Sequence, residues 1–344
     1  MGFMLGTLLR VLVVALTWQP ASSEWTTQTS GVTARLRGVS AVSDRVVWAS
    51  GTSGTVLRTE DGGATWQVRP VPGAGALDFR DIDAVDARTA FVLSIGPGDQ
   101  SRIYRTGDAG ATWTEQFVNG DPKAFFDAMA FRDASSGIAF SDSVDGQFVV
   151  LRTEDGGRRW VRVPGQALPP ALPGEGAFAA SGTNVAVHGR DHAWIGTGAA
   201  SQVRVLRSTD GGRTWKASVA PLDASSTSGI FSIAFRDEVH GIVVGGDYQK
   251  EAVATDNAAV TGDGGVTWTA VSGLGGFRSA VSYVPGRPST VIAVGPTGAD
   301  LSTDDGRSWT AIPGPGFHAL SVSPSGRFAW GVGEKGAIGR LVLR

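Results

Sequence analysis

The chain contains no cysteine. Disulfides, thiol catalysis, iron–sulfur clusters and cysteine-ligated zinc are therefore excluded. Histidine is almost as scarce, with residues only at 188, 192, 240 and 318. His188 and His192 are close in sequence, but no further His or Cys completes a zinc set with them, so neither metal nor cofactor is expected. Charge is sparse and balanced: Asp, Glu, Lys and Arg make up 18% of residues, and the formal net charge is −2. Nucleic-acid binding normally shows a basic face or stripe, and nothing in the composition suggests one. After the N-terminus there is no amphipathic helical pattern. Apolar and polar residues alternate with period two between Gly-, Asp- and Pro-rich turns, the pattern of strands. The 49 glycines fit a fold of many tight turns.

The first residues differ from the rest. Met1 to Trp18 is largely apolar, with Arg10 ahead of the short run Val11 to Leu16, and Ala21-Ser22-Ser23 follows with small side chains. Residues 1–23 read as a cleaved secretory signal, which places residues 24–344 outside the cytoplasm, in the periplasm or the extracellular space. The run is short and Arg-interrupted for a membrane span, and without a Cys after it no lipoprotein anchor is expected.

One motif recurs six times: RTEDGGATW ending at Trp66, RTGDAGATW at Trp113, RTEDGGRRW at Trp160, RSTDGGRTW at Trp215, VTGDGGVTW at Trp268 and LSTDDGRSW at Trp309. Repetition of this kind marks a repeat architecture, and the spacings of 47, 47, 55, 53 and 41 residues suit a four-stranded propeller blade. The box has a mechanical reading. Its carboxylate (Asp61, Asp108, Asp155, Asp210, Asp263, Asp304) can accept N–H groups of its own turn. Its glycine (Gly63, Gly110, Gly157, Gly212, Gly265, Gly306) takes a conformation that side chains disfavour. Its tryptophan opens the next strand and can lie over the turn. The box is expected to be a local clip between strands three and four, not a calcium loop, which needs more acidic ligands.

Six boxes do not limit the ring to six blades. Ser325 to Arg340 aligns without gaps on Ser43 to Arg58, so that Trp330 meets Trp48 and Arg340 meets Arg58. This last module has three strands and no box. The segment from Trp25, WTTQTSGVTARLRGV, parallels the strand after a box. Residues near 25–34 should therefore complete the last blade. The expected fold is all-β: a seven-bladed propeller closed by the N-terminal strand, without open sheet edges.

These boxes resemble those of the BNR or Asp-box propellers. The fuller blade pattern, IAFRDEVHGIVVGGD followed by TGDGGVTW, is most similar to the photosystem II stability/assembly-factor type, a seven-bladed group of exported proteins. That resemblance implies a protein-binding or assembly scaffold. It does not choose a chemistry, because sialidases, xyloglucanases and sortilin-type receptors share the box.

Propeller ligands usually sit at the face opposite the boxes. Aligning first strands places Arg37, Arg80, Asp127, Ala179, Phe231, Arg278 and His318 at one funnel mouth. Loops between strands two and three add Asp142, Asp247 and Tyr248. Arginine forks suit carboxylate or phosphate, so this ring is the candidate binding mouth, with a protein or peptide partner, a membrane complex included, for a monomeric propeller. Two alternatives remain open. A sialidase-like glycosidase would use Arg37, Arg80 and Arg278 as a carboxylate-binding triad with Tyr283 as nucleophile, although the Arg-Ile-Pro element expected before the first box is missing. A receptor-like sensor would hold a small ligand or peptide in the same funnel.

Overall fold

Every Asp box joins the third strand of an antiparallel sheet to a short outer fourth strand. The computed structural model describes residues 24–343; the expected export signal, residues 1–23, lies outside them. The described residues form seven four-stranded sheets. Blades 1 to 6 follow chain order, with first strands Leu36–Ala41, Asp78–Ala84, Phe126–Phe131, Val185–His188, Ser228–Phe235 and Ala280–Val284 lining the axis. Blade 7 takes Ala319–Val322, Phe328–Val332 and Ile338–Val342, and its outer strand is Trp25–Gln28 from the other end of the chain. Trp25 faces Leu341 and Gln28 faces Ile338. None of the helices among the described residues is long and apolar enough to cross a membrane.

The core lies between neighbouring blades. Trp48, Trp194 and Trp330, at one site of the second strand, are wholly buried there. First strands are also stitched to each other through side chains. Ser40 Oγ accepts the Ala84 N–H (3.1 Å), Asp83 Oδ2 the Phe131 N–H (2.6 Å), Ser232 Oγ the Val281 N–H (2.9 Å) and Ser321 Oγ the Ala41 N–H (3.0 Å).

The boxes are clips of the expected kind. Thr65 donates its N–H to Asp61 Oδ1 (2.9 Å) and its hydroxyl to Oδ2 (2.7 Å); Thr59 Oγ1 donates to Oδ1 (2.8 Å) and accepts the Gly63 N–H (2.9 Å). The box glycines have φ between +80° and +90°, where a Cβ is strained. The tryptophans do more than the clip requires. Trp215 donates to Gly212 O of its own turn (3.0 Å), but Trp66 reaches Gln28 Oε1 (3.2 Å) and Trp268 reaches Ser218 Oγ (3.2 Å), both on the preceding blade. The clip is thus also a fastener between blades, which corrects the purely local reading.

This chemistry sets an acid limit. The hydroxyl and then the N–H of Thr65 hold Asp61 down at about 2, and Thr112 and Ser308 do the same for Asp108 and Asp304. Unfolded aspartate titrates at about 4. The folded state therefore binds fewer protons, and the stabilisation is complete above about pH 4 and lost as pH falls through about 2. Replacing Thr65, Thr112 and Ser308 together by Ala should move the acid-unfolding midpoint to higher pH, read by tryptophan fluorescence. Box three has Arg159 where the others carry the hydroxyl, so Asp155 keeps the Arg159 N–H (2.9 Å) and the Thr153 hydroxyl (3.0 Å) but lacks the second hydroxyl. Arg159→Thr should lower the midpoint. Midpoints unmoved in both variants would assign the clip's strength elsewhere.

Candidate functional site

In four blades the first strand carries a β-bulge, and the extra residue is Arg37, Arg80, Asp127 or Phe231. A bulge bends the strand and re-aims a side chain. This is the local reason that these aligned positions leave the sheet pattern near the axis.

A cavity of about 360 Å³ lies at this mouth. Of the residues expected from sequence, Arg37, Arg80, Tyr248 and His318 line it, with Ala179 and Phe231. The others do not. Arg278 is 2% exposed and turned back into its own blade, where Nε and Nη2 both reach Asp300 Oδ2 at 2.6 Å. A buried guanidinium needs such a partner, and its neighbour Phe277 faces the cavity instead. Asp127 is buried beside Asp142, and burial, then the Asp142 charge, pushes its carboxyl far up. Asp142 is also raised by burial, and its Oδ1 accepts the Ala177 N–H (2.9 Å). Asp247 is buried, accepting the Gln249 N–H (2.9 Å) and pairing with Lys250 (3.1 Å). These three carboxyls support the rim from behind. The sialidase triad is not assembled, because Arg278 is withdrawn from the cavity and Tyr283 lines a separate one.

The floor of the mouth comes from a segment of which the alignment found only Ala179, as the first-strand position of blade 4. Residues 178–183 cross the axis before blade 4 begins at Val185. Arg80 Nη1 donates to Ala179 O (2.8 Å) from blade 2 and Arg37 Nη1 to Ala180 O (3.4 Å) from blade 1. Ser181 Oγ donates to Ser279 O (2.7 Å) at the edge of blade 6, and Thr183 Oγ1 meets Ser232 Oγ (2.7 Å) on blade 5. Phe178 and Ala180 face the mouth, whereas Gly182 and Thr183 face a second cavity of about 700 Å³ below. The sequence traces of this strap are the aligned Ala179 and the long spacing of 55 residues between Trp160 and Trp215.

The mouth has two chemically distinct walls. One is aromatic: Phe178 stacks on Phe231 (4.1 Å between ring centres), which meets Phe277 edge-on (4.6 Å) and Tyr248 (6.1 Å). The other is cationic. Arg80 is paired with Asp78 (2.9 Å). His318 shares Glu334 (2.8 Å), while burial and then Arg37 lower it to about 4, so it is neutral at neutral pH. Arg37 has no carboxylate within ion-pairing distance among the described residues, and its Nε is buried without a hydrogen-bond partner. Burial, then Arg80, lower it to about 10. It is a partly buried cation facing a cavity. Among the described residues no group of three or more acidic or imidazole side chains is placed to hold a metal.

The BNR/Asp-box repeat family matches residues 206–217, the fourth box. None of the curated proteins matches in sequence. Among solved structures, "YCF48 bound to D1 peptide" is similar with a TM-score of 0.66 and 16% identity, over 94% of this chain and 99% of that one. YCF48 from Cyanidioschyzon merolae is similar at 0.64 and 15%, over 93% and 99%. The GH74 xyloglucanase from Xanthomonas campestris is similar at 0.63 and 17%, over 92% of this chain but 53% of that one. At these identities the likeness is one of fold.

Proposed function

We propose that this seven-bladed propeller of BNR/Asp-box repeats is a non-catalytic binding and assembly scaffold that holds an anionic, apolar-bearing peptide segment in its mouth. The observation that carries the reading is Arg37, a partly buried guanidinium without a carboxylate partner, facing four aromatic rings across one cavity. A peptide carboxylate would satisfy Arg37, and a neighbouring apolar side chain would cover Phe178 and Tyr248. The strap and the bulges fix these groups before the peptide arrives, which lowers the entropy lost on binding. The peptide-bound YCF48 structure supports the same class of partner by likeness of fold. Export to the periplasm or beyond, expected from residues 1–23, belongs to the same proposal, with a partner in or at a membrane complex.

The test is binding of fluorescent octapeptides in which an Asp or Glu lies beside Leu or Phe. Arg37→Ala and Phe178→Ala should each weaken binding by about tenfold or more, the order expected when a central anchor is removed. Neutral analogues should bind no better than the variants. Equal binding by parent and variants would overturn the assignment of the mouth. Hydrolysis of sialosides or β-glucans that is lost in Arg80→Ala would replace the scaffold with a glycosidase.

A further inference from the structure

The opposite face holds an internal contrast between blades. Ala130-Phe131-Arg132-Asp133 and Ala234-Phe235-Arg236-Asp237 begin the same turn in blades 3 and 5. The turns are built alike: Asp133 Oδ1 accepts the Ser135 and Ser136 N–H groups (2.7 and 2.8 Å), and Asp237 Oδ1 accepts those of Val239 and His240 (2.9 and 2.7 Å). Arg236 reaches the box of the next blade and binds Asp305 through Nε (3.0 Å) and Nη2 (3.4 Å). In the box beside Arg132, the position corresponding to Asp305 is Gly211. The correspondence holds in the backbone. Gly211 N–H bonds to Asp191 O (2.8 Å) and Asp305 N–H to Ser289 O (2.9 Å), with φ of +76° and +61°.

Arg132 thus lacks the carboxylate that its counterpart has. It donates through Nη2 to His192 O (3.3 Å), and its buried Nε has no partner. A crevice of about 880 Å³ opens there, lined also by Arg152, Arg190 and Arg213. Its acidic residues are largely engaged. Glu154 is shared by Arg152 (2.6 Å) and Arg213 (3.0 Å), and Asp133 caps its turn; Asp191 faces the same crevice. A Cβ on Gly211 would lie 3.3 Å from Arg213 Nη1 and 3.9 Å from Arg152 Nη2. The vacant position is therefore bordered by two guanidinium groups and by the Arg190 carbonyl oxygen (3.5 Å).

We propose that the crevice between blades 3 and 4 is a carboxylate-binding site, in which a ligand carboxylate stands for Arg132 where Asp305 stands for Arg236. Planar forked pairing favours carboxylate here, as it does at Asp305. The site lies on the box face, so it is independent of the mouth.

The test uses citrate as probe, with thermal melting and calorimetry at constant ionic strength. Citrate should raise the melting temperature of the parent saturably. Gly211→Asp should raise it without citrate, by supplying the carboxylate internally, and should abolish the citrate response. Arg132→Ala should weaken citrate by about tenfold or more, whereas Arg307→Ala, at an exposed arginine of the sixth box, should leave it unchanged. No saturable response in the parent, or an undiminished one in Gly211→Asp, overturns the proposal. Should Gly211→Asp fail to fold, an undiminished response in Arg132→Ala overturns it alone. Inorganic phosphate binding tenfold more tightly than citrate would overturn the choice of carboxylate.

Discussion

Deleting residues 24–34 is expected to open blade 7 and leave a chain that melts at least about 10 °C lower, or that aggregates. The deletion removes the outer strand Trp25–Gln28 and exposes the edge of Ile338–Val342. Trp25 is buried against Phe317 (4.6 Å between ring centres) in the core of blades 6 and 7. Losing a buried tryptophan ring costs about 3–5 kcal/mol. Gln28 is lost as well, and with it the bonds to Gly62 O (2.8 Å) and Trp66 Nε1 (3.2 Å) that tie blade 7 to the first box. The Gly336 N–H also loses Ala34 O (2.8 Å). At about 2 °C per kcal/mol for a domain of this size, the ring accounts for about 6–10 °C of the shift, and the lost hydrogen bonds carry it further. The freed edge is a template for pairing with another chain. Melting and size-exclusion chromatography read both effects. A peptide of residues 24–34 added in trans should restore part of the lost stability. A shortened chain that melts like its parent would show that pairing of the termini does not hold the ring.

The second large effect is expected at Trp194. Trp194→Ala should cost about 4 kcal/mol in equilibrium denaturation, from lost transfer energy and the cavity left behind. The ring is wholly buried, stacks on Phe235 of blade 5 at 3.6 Å, and donates Nε1–H to Gly264 O at 2.8 Å. The same site in blades 1 and 7 carries Trp48 and Trp330, whose Nε1 atoms have no hydrogen-bond partner. This separates two contributions. Trp194→Phe should cost about 1 kcal/mol more than Trp48→Phe, because it alone strands a carbonyl that was bonded. Equal costs for the two Phe variants would mean that the Gly264 bond adds nothing measurable. The Ala variant should also loosen the box of blade 5, since Gly264 belongs to that turn.

The two candidate sites were legible to different degrees. Aligning first strands found Arg37, Arg80, Ala179, Phe231 and His318, which do share the mouth cavity. The same alignment gave Arg278 and Asp127 equal weight, yet one is bound to Asp300 and the other is buried beside Asp142. Position in a repeat sets where a Cα lies. Which way a charged side chain turns depends on the partner that competes for it, and that partner is on another strand. Phe178 and Phe277 were missed because neither falls on an aligned position; only the aromatic stacking across the axis brings them together. The crevice at Arg132 was written in the sequence as Gly211 against Asp305, but nothing in the sequence says that these positions face the preceding blade's arginine.

What the sequence settled by itself is the number, phase and closure of the blades and the chemistry of their turns. Each box is held by hydrogen bonds between residues two to four apart, Thr59, Asp61, Gly63 and Thr65 in the first, so a nine-residue motif contains nearly all of its own physics. What only the tertiary structure decided is the mouth. Arg80 and Arg37 meet their strap carbonyls across 99 and 143 residues of chain. Contacts of that reach exist only after the ring has closed, when burial leaves each cation either a carboxylate to bind or, as at Arg37 and Arg132, none.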